Sequence, residues 1–413
     1  MRMLSTARAG LGLILALALA ACGGAPGGGT SPTPSATSEP SAQATAAATQ
    51  TEMAPVPVPS VSAAARQTTE ASSAVAGTPA TTAPAMTTTA TTAEPLLTPS
   101  AAATAEPTRY IDDRSTPQAV LRSLYNAINQ RQYARAYSYW ETPGAIELPP
   151  FPQFQQGYST TQAVQLEMGQ VQEDAGAGQR YDAVPVTLSA TTTAGARQTF
   201  VGCYTLHLAL PAIQAVPPFH PLAIRSAEIR RVDNNANTTQ LMAQACRVNG
   251  QPAGLPVPAS PTPDPADISA ARYLDDRSAG EQVVRSLYNA INRKEYARAY
   301  AYWEAAGPPP GPPPFAQFRQ GYANTQAVQL TIGRVQSGAA AGNYYGMVPV
   351  TVRAATSGGG QQTFVGCYTV HLGDPANQAV PPFQPMAIQA AHIRQVPNDA
   401  NTGVLMSTAC GNR

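Results

Sequence analysis

The sequence predicts an α+β protein built twice: in each copy two N-terminal helices pack on a mostly antiparallel sheet. Three observations carry this. Arg109-Tyr110-Ile111-Asp112-Asp113-Arg114-Ser115 returns as Arg272-Tyr273-Leu274-Asp275-Asp276-Arg277-Ser278, and Ser123-Leu124-Tyr125-Asn126-Ala127-Ile128-Asn129 returns as Ser286-Leu287-Tyr288-Asn289-Ala290-Ile291-Asn292. The offset is 163 residues as far as Trp140 and Trp303, and 164 from Phe154 and Phe318 onward, so one residue is inserted between them. A period this long marks a tandem domain rather than a solenoid repeat. Within each copy helical periodicity comes first and period-two alternation follows.

The helical part opens at Ser115-x-x-Gln118 and Ser278-x-x-Glu281, which read as capping boxes with Ser at the N-cap. Val120, Leu121, Leu124, Tyr125 and Ile128 follow at three- and four-residue steps and form one apolar face. Asn129 and Arg131 interrupt that face, and a second short helix places Tyr133, Tyr137 and Trp140 on one side. The Pro-rich stretch around 143–152 reads as a loop.

The strands come next. Val164 to Val171 is a first candidate, and Val184, Val186 and Leu188 alternate, as do Val348, Val350 and Val352. Pro185 inside that run predicts an edge strand or a bulge. Phe200, Gly202, Tyr204, Leu206 and Leu208 share one face of the next strand, and Val201, Cys203, Thr205 and His207 share the other. A fourth strand is expected from about Leu222 to Val232.

Five cysteines are present. Cys203 and Cys246 lie 43 residues apart, and so do Cys367 and Cys410. Four thiols allow three connectivities, and the repeated spacing favours one bridge inside each copy. A zinc site is the weaker alternative, because CxxC and HxxxH spacings are absent.

Composition limits the rest. Of 413 residues only 12% are charged, while Pro (40) and Gly (32) are abundant. The net charge of +1 gives no electrostatic footprint for nucleic acid. Gly23 to Pro107 is an Ala/Thr/Ser/Pro tract without an aromatic residue; it cannot bury enough apolar surface to order itself. As a coil it would average about 50 Å end to end, and about 260 Å if drawn into polyproline form. The expected organisation is therefore 1–21 leader, 22–108 spacer, 109–248 first domain, 249–271 Pro-rich linker and 272–413 second domain.

The leader carries Arg2 and Arg8, an apolar run from Leu11 to Ala21, and the sequence Leu19-Ala20-Ala21-Cys22. The run is too short to span a bilayer and matches a secretory signal. Its end resembles the lipobox of bacterial lipoproteins. That resemblance implies cleavage after Ala21 and acylation of Cys22, hence a membrane as partner and an extracytoplasmic location on a cell or outer membrane.

Tyr125-Asn126-Ala127-Ile128-Asn129-x-Arg131-x-Tyr133-x-x-Ala136-Tyr137, followed by strands, is similar to the opening helices of the NTF2-like superfamily. In the second copy Lys294 matches Arg131, with Arg293 one place earlier. The resemblance implies a conical pocket that some relatives use for catalysis and many only for binding. Catalytic relatives place an Asp or His in the cone, which makes His207 and His371 the catalytic candidates. No nearby sequence position supplies an acidic partner at the matching place in both copies; Glu228 could serve the first, but its counterpart is His392. A histidine hydrogen-bonded at a strand end is the preferred reading of both.

Tyr125, Tyr137 and Trp140, with Tyr288, Tyr300 and Trp303, are candidate pocket-lining residues, although such a stripe more often forms core. The Asp112-Asp113 and Asp275-Asp276 pairs read as charges favoured near a helix N-terminus. No GxGxxG, P-loop, HExxH or GxSxG motif occurs, so no cofactor or metal is expected. The expected function is non-catalytic binding of an extracytoplasmic ligand or protein. An NTF2-like hydrolase, dehydratase or isomerase, and a passive structural protein of the envelope, are the alternatives.

Overall fold

The computed structural model describes residues 109–142, 144–146, 148–248, 251–252, 266–305 and 311–411. The leader, Cys22 and the spacer lie outside the described residues, as does most of the linker. The first half runs α1 (Pro117–Asn129), α2 (Tyr133–Tyr137), α3 (Phe151–Gly157), β1 (Thr161–Met168), β2 (Gln172–Gly176), β3 (Gln179–Thr192), β4 (Arg197–Ala209), β5 (Ala223–Val232) and α4 (Thr238–Ala243). A two-residue ladder of β6 (Arg247–Val248) and β7 (Gln251–Pro252) follows. The second half repeats the order as α5 (Gly280–Asn292), α6 (Tyr296–Tyr300), α7 (Phe315–Gly321), β8 (Thr325–Ile332), β9 (Gln336–Ala340), β10 (Asn343–Thr356), β11 (Gln361–Gly373), β12 (Ala387–Val396) and α8 (Thr402–Thr408). Each half is α+β with one five-stranded antiparallel sheet, ordered β1-β3-β4-β5 or β8-β10-β11-β12; β2 and β9 extend the partner line of the long strand.

The α1 stripe works as its spacing predicts: Val120, Leu121, Leu124, Tyr125 and Ile128 are buried against the sheet. Its cap differs from expectation. Thr116, not Ser115, is the N-cap, accepting from the Ala119 N–H at 3.2 Å, with Pro117 in the first turn. In the second half Ala279 occupies the cap and offers no side-chain bond. Asn129, which breaks the stripe, has its own task. Its side-chain amide donates to the Val164 carbonyl at 2.9 Å and accepts from the Val164 N–H at 2.8 Å, closing the outer edge of β1. Asn292 does the same for Val328 on β8.

Pro185 is not on an edge strand. β3 lies in the sheet interior, with Pro185 opposite Cys203 on β4. On its other side β1 ends at Met168 opposite Val186, and β2 begins at Gln172 opposite Ala183. Pro185 therefore falls in the gap between two successive partners, where its missing N–H costs no ladder bond, while its carbonyl accepts from the Gly169 N–H at 2.8 Å. Pro349 repeats this with Gly333. The extra strand β2 carries no strand signature in sequence, because Gln172-Glu173-Asp174-Ala175-Gly176 is almost fully exposed and has no apolar alternation. The stretch expected as loop up to Pro152 gives way to α3, which starts at Phe151. Gly202 and Gly366 permit a close strand approach: a Cβ there would lie 2.1 Å from the Glu228 or His392 carbonyl oxygen.

The core of each half lies between the helices and one sheet face. On the opposite face α4 packs on β3 and β4, and α8 on β10 and β11. Disulfides Cys203–Cys246 and Cys367–Cys410 fasten the chain beyond each of these helices. All four thiols are thereby consumed, which removes the zinc alternative for them.

The repeated Asp-Asp-Arg-Ser segments join the halves. Asp113 and Asp276 form an antiparallel bridge. The Arg114 N–H donates to the Asp275 carbonyl at 2.6 Å, and the Arg277 N–H to the Asp112 carbonyl at 2.7 Å. The Asp112 N–H donates to Ser278 Oγ at 2.9 Å, and the Asp275 N–H to Ser115 Oγ at 2.8 Å. This reciprocal exchange corrects the capping-box reading of Ser115 and Ser278 and gives the Asp-Asp segments a task in joining the halves. Asp112 and Asp275 are buried and accept from the Tyr139 and Tyr302 hydroxyls, at 3.1 and 2.9 Å. Buried Arg135 and Arg298 hold the same segments by donating to the Ile111 and Leu274 carbonyls.

Candidate functional site

Alternation along β4 turns Phe200, Tyr204, Leu206 and Leu208 into the core, and puts His207 on the other face with Cys203. Its strand neighbours are Tyr181 on β3 and Ala223 on β5. The Tyr181 ring stacks on the imidazole, centroids 4.7 Å apart. Past the β5 edge Trp140 makes a parallel bridge to Ile224, and the Glu141 N–H donates to the Ile224 carbonyl at 2.8 Å. That register delivers the Glu141 carboxylate to the histidine.

Glu141 Oε1 lies 2.8 Å from His207 Nδ1, and Arg225 Nη1 donates to Glu141 Oε2 at 3.0 Å. The second ring nitrogen, Nε2, lies 2.7 Å from Gln179 Oε1. In the second half His371 Nδ1 meets Glu304, its Nε2 lies 2.8 Å from Asn343 Oδ1, and Tyr345 stacks at 4.9 Å. Gln389 stands where Arg225 does. An acidic partner does recur in both halves, though not from a nearby sequence position. The partner is Glu141 or Glu304, 66 or 67 residues away in sequence. Glu228 is exposed on β5 opposite Cys203. The repeated Trp-Glu dipeptide was the available signal.

A carboxylate that orients an imidazole is one component of general-base machinery. Here both ring nitrogens are already engaged, and the His207 side chain is only 13% exposed. The group sits on the face opposite the core, and it ties β3, β4, β5 and the 139–141 segment together.

Of the six aromatic candidates, Tyr125 and Tyr288 are buried in the core, and Tyr137, Trp140, Tyr300 and Trp303 pack partly buried against it. The Tyr125 and Tyr204 hydroxyls are 2.6 Å apart and buried, with Trp140 edge-on to Tyr204 at 6.3 Å. Tyr288, Tyr368 and Trp303 repeat this at 2.7 and 6.2 Å. Tyr137 packs edge-on against Phe151 and Phe154, and Tyr300 against Phe315 and Phe318. Burial pushes the Tyr204 phenol up to about 12, so this ring cluster stays uncharged.

Two clefts instead open at the junction of the halves. One, about 680 Å³, is lined by Tyr110, Gln132, Ser278, Asn343, Asp374 and Met386 among others. The other, about 670 Å³, is lined by residues including Pro211, Gln214, Lys294, Glu295, Tyr296 and Arg319. None of the six candidate aromatics lines either cleft. Among the described residues no group of three or more His, Cys, Asp and Glu side chains is placed to hold a metal ion. No family model matches the chain, and no curated protein or solved structure matches it.

Proposed function

We propose that this chain is an exported lipoprotein, held on a membrane through acylated Cys22, that displays two NTF2-like halves as a non-catalytic binding or interaction module. The lipobox-like Leu19-Ala20-Ala21-Cys22 behind an apolar run carries this reading. Two disulfides agree with it, since such bonds persist in oxidising compartments outside the cytoplasm. Helices followed by one antiparallel sheet in each half are consistent with the NTF2-like likeness. Filled aromatic cores and doubly engaged histidines favour binding over catalysis. Changing Cys22 to Ala is expected to move the protein from the membrane fraction to the soluble one; retention in the membrane contradicts the anchor.

The recurrence of a His–Glu couple in both halves favours one second reading, an enzyme of the NTF2-like type. It predicts an activity abolished by the combined His207→Ala and His371→Ala changes and retained in a variant lacking only the lipid. Equal turnover with and without both histidines contradicts it.

A further inference from the structure

Each sheet presents two edges. At the β1 and β8 edges the Asn129 and Asn292 amides cover Val164 and Val328. At the β5 edge only the start is occupied: the Ile224 N–H donates to the Tyr139 carbonyl, and the Ile224 and Arg225 carbonyls accept from Glu141 and Ile146. From Ser226 to Val232 no described residue pairs with the outer backbone of β5. An open edge is a template for another strand, and charged side chains ordinarily guard it.

The charges on β5 are arranged to complement themselves. Laid antiparallel against a second β5 about a twofold axis through Ile229, Glu228 of one copy stands opposite Arg230 of the other, twice and on one face. Ile229 then meets Ile229, and Ser226 meets Val232. Glu228 and Arg230 are exposed, whereas Ile229 is partly buried against its own core. The matching residues of β12 are His392, Ile393 and Arg394. The same register there would set an imidazole against a guanidinium, without attraction. The second half is thus an internal control for the first.

We propose that β5 is a self-association edge, through which two copies of this chain pair antiparallel over Ser226–Val232, and that β12 is not. A single short strand pair makes a weak dimer. Tethering both copies to one membrane, if the lipid anchor holds, would raise their effective concentration, but the pairing itself does not depend on that anchor.

The test uses the full chain carrying Cys22→Ala, exported so that both disulfides form, in sedimentation equilibrium over a concentration series. Glu228→Arg alone and Arg230→Glu alone are each expected to weaken dimerisation roughly tenfold, because two attractive cross-strand pairs become repulsive. The double exchange restores it, and Arg394→Ala leaves it unchanged. Hydrogen exchange at 226–232 should slow with concentration while 389–396 stays constant. A chain that remains monomeric at its solubility limit overturns the proposal. So does a dimer indifferent to the single reversals, or an edge protected only by an added acidic peptide.

Discussion

The two halves share one architecture but solve one buried-charge problem differently. In the second half Arg298 is almost completely buried, and its Nε donates to Glu295 Oε2 at 2.6 Å, while Glu295 Oε1 accepts from Arg293 Nε at 2.7 Å. In the first half the equivalent residues are Gln132 and Arg135. Arg135 is fully buried, yet among the described residues its Nε has no acceptor and the enclosed Gln132 Oε1 has no donor. Both arginines keep a backbone carbonyl and an Asn side chain, Asn126 or Asn289, and lie over a tyrosine ring. Burial opposes the Arg298 charge, but the fields of Tyr302, Tyr273, Glu295 and Asp275 outweigh it and raise its pKa. The fold thus needs a guanidinium to hold the junction segment, and its carboxylate partner is a separate addition.

The largest effect should come from a feature the halves share. Replacing both Cys203 and Cys246 by Ala is expected to cost about 4 kcal/mol in the chain-entropy account, and replacing Cys367 and Cys410 the same, because the loops are equal. Denaturant titration measures both; a large inequality would mean that the halves are not energetically alike. Next, Glu295→Gln should cost about 3 kcal/mol in the second half by leaving Arg298 without its carboxylate. Hydrogen exchange resolved by half reads this, and exchange unchanged in α5 and α6 would remove the pair from the account. The converse, Gln132→Glu, should stabilise the first half by about 1 kcal/mol by giving Arg135 Nε an acceptor; a loss of stability would show that the first half is packed for a neutral residue.

A smaller effect concerns the junction. Burial, then the field of Asp113, raises the Asp276 carboxyl to about 6, and burial raises Asp113 as well. A carboxyl with a folded pKa above its unfolded one binds its proton more tightly when folded, so its contribution to stability grows as pH falls through 6 toward the unfolded value near 4. Asp276→Asn should flatten that gain between pH 7 and 4, read as the difference in stability from the unaltered chain. An identical pH dependence in both proteins would contradict it.

Local pattern accounts for much of the fold. The α1 face, the alternation of β4, and the cysteine pairs depend on neighbours close in sequence or on an arithmetic repeat, and they read directly. Pro185 misled because an edge is only one of two places where a missing N–H is harmless; the gap between β1 and β2 is the other. Ser115 has the local signature of a cap but bonds across 160 residues. Glu141 reaches His207 only through the Trp140–Ile224 bridge, which no local rule encodes. In each case the residue type was informative and the partner was set by tertiary register.

The central claim, that these paired halves are held outside the cytoplasm by a lipid, is tested most directly by the mass of the N-terminal peptide of the mature protein isolated from its membrane. The account predicts a chain beginning at Cys22 and heavier than its sequence by a diacylglyceryl group and an acyl group. An unmodified Cys22, or a chain that still begins at Met1, would contradict it.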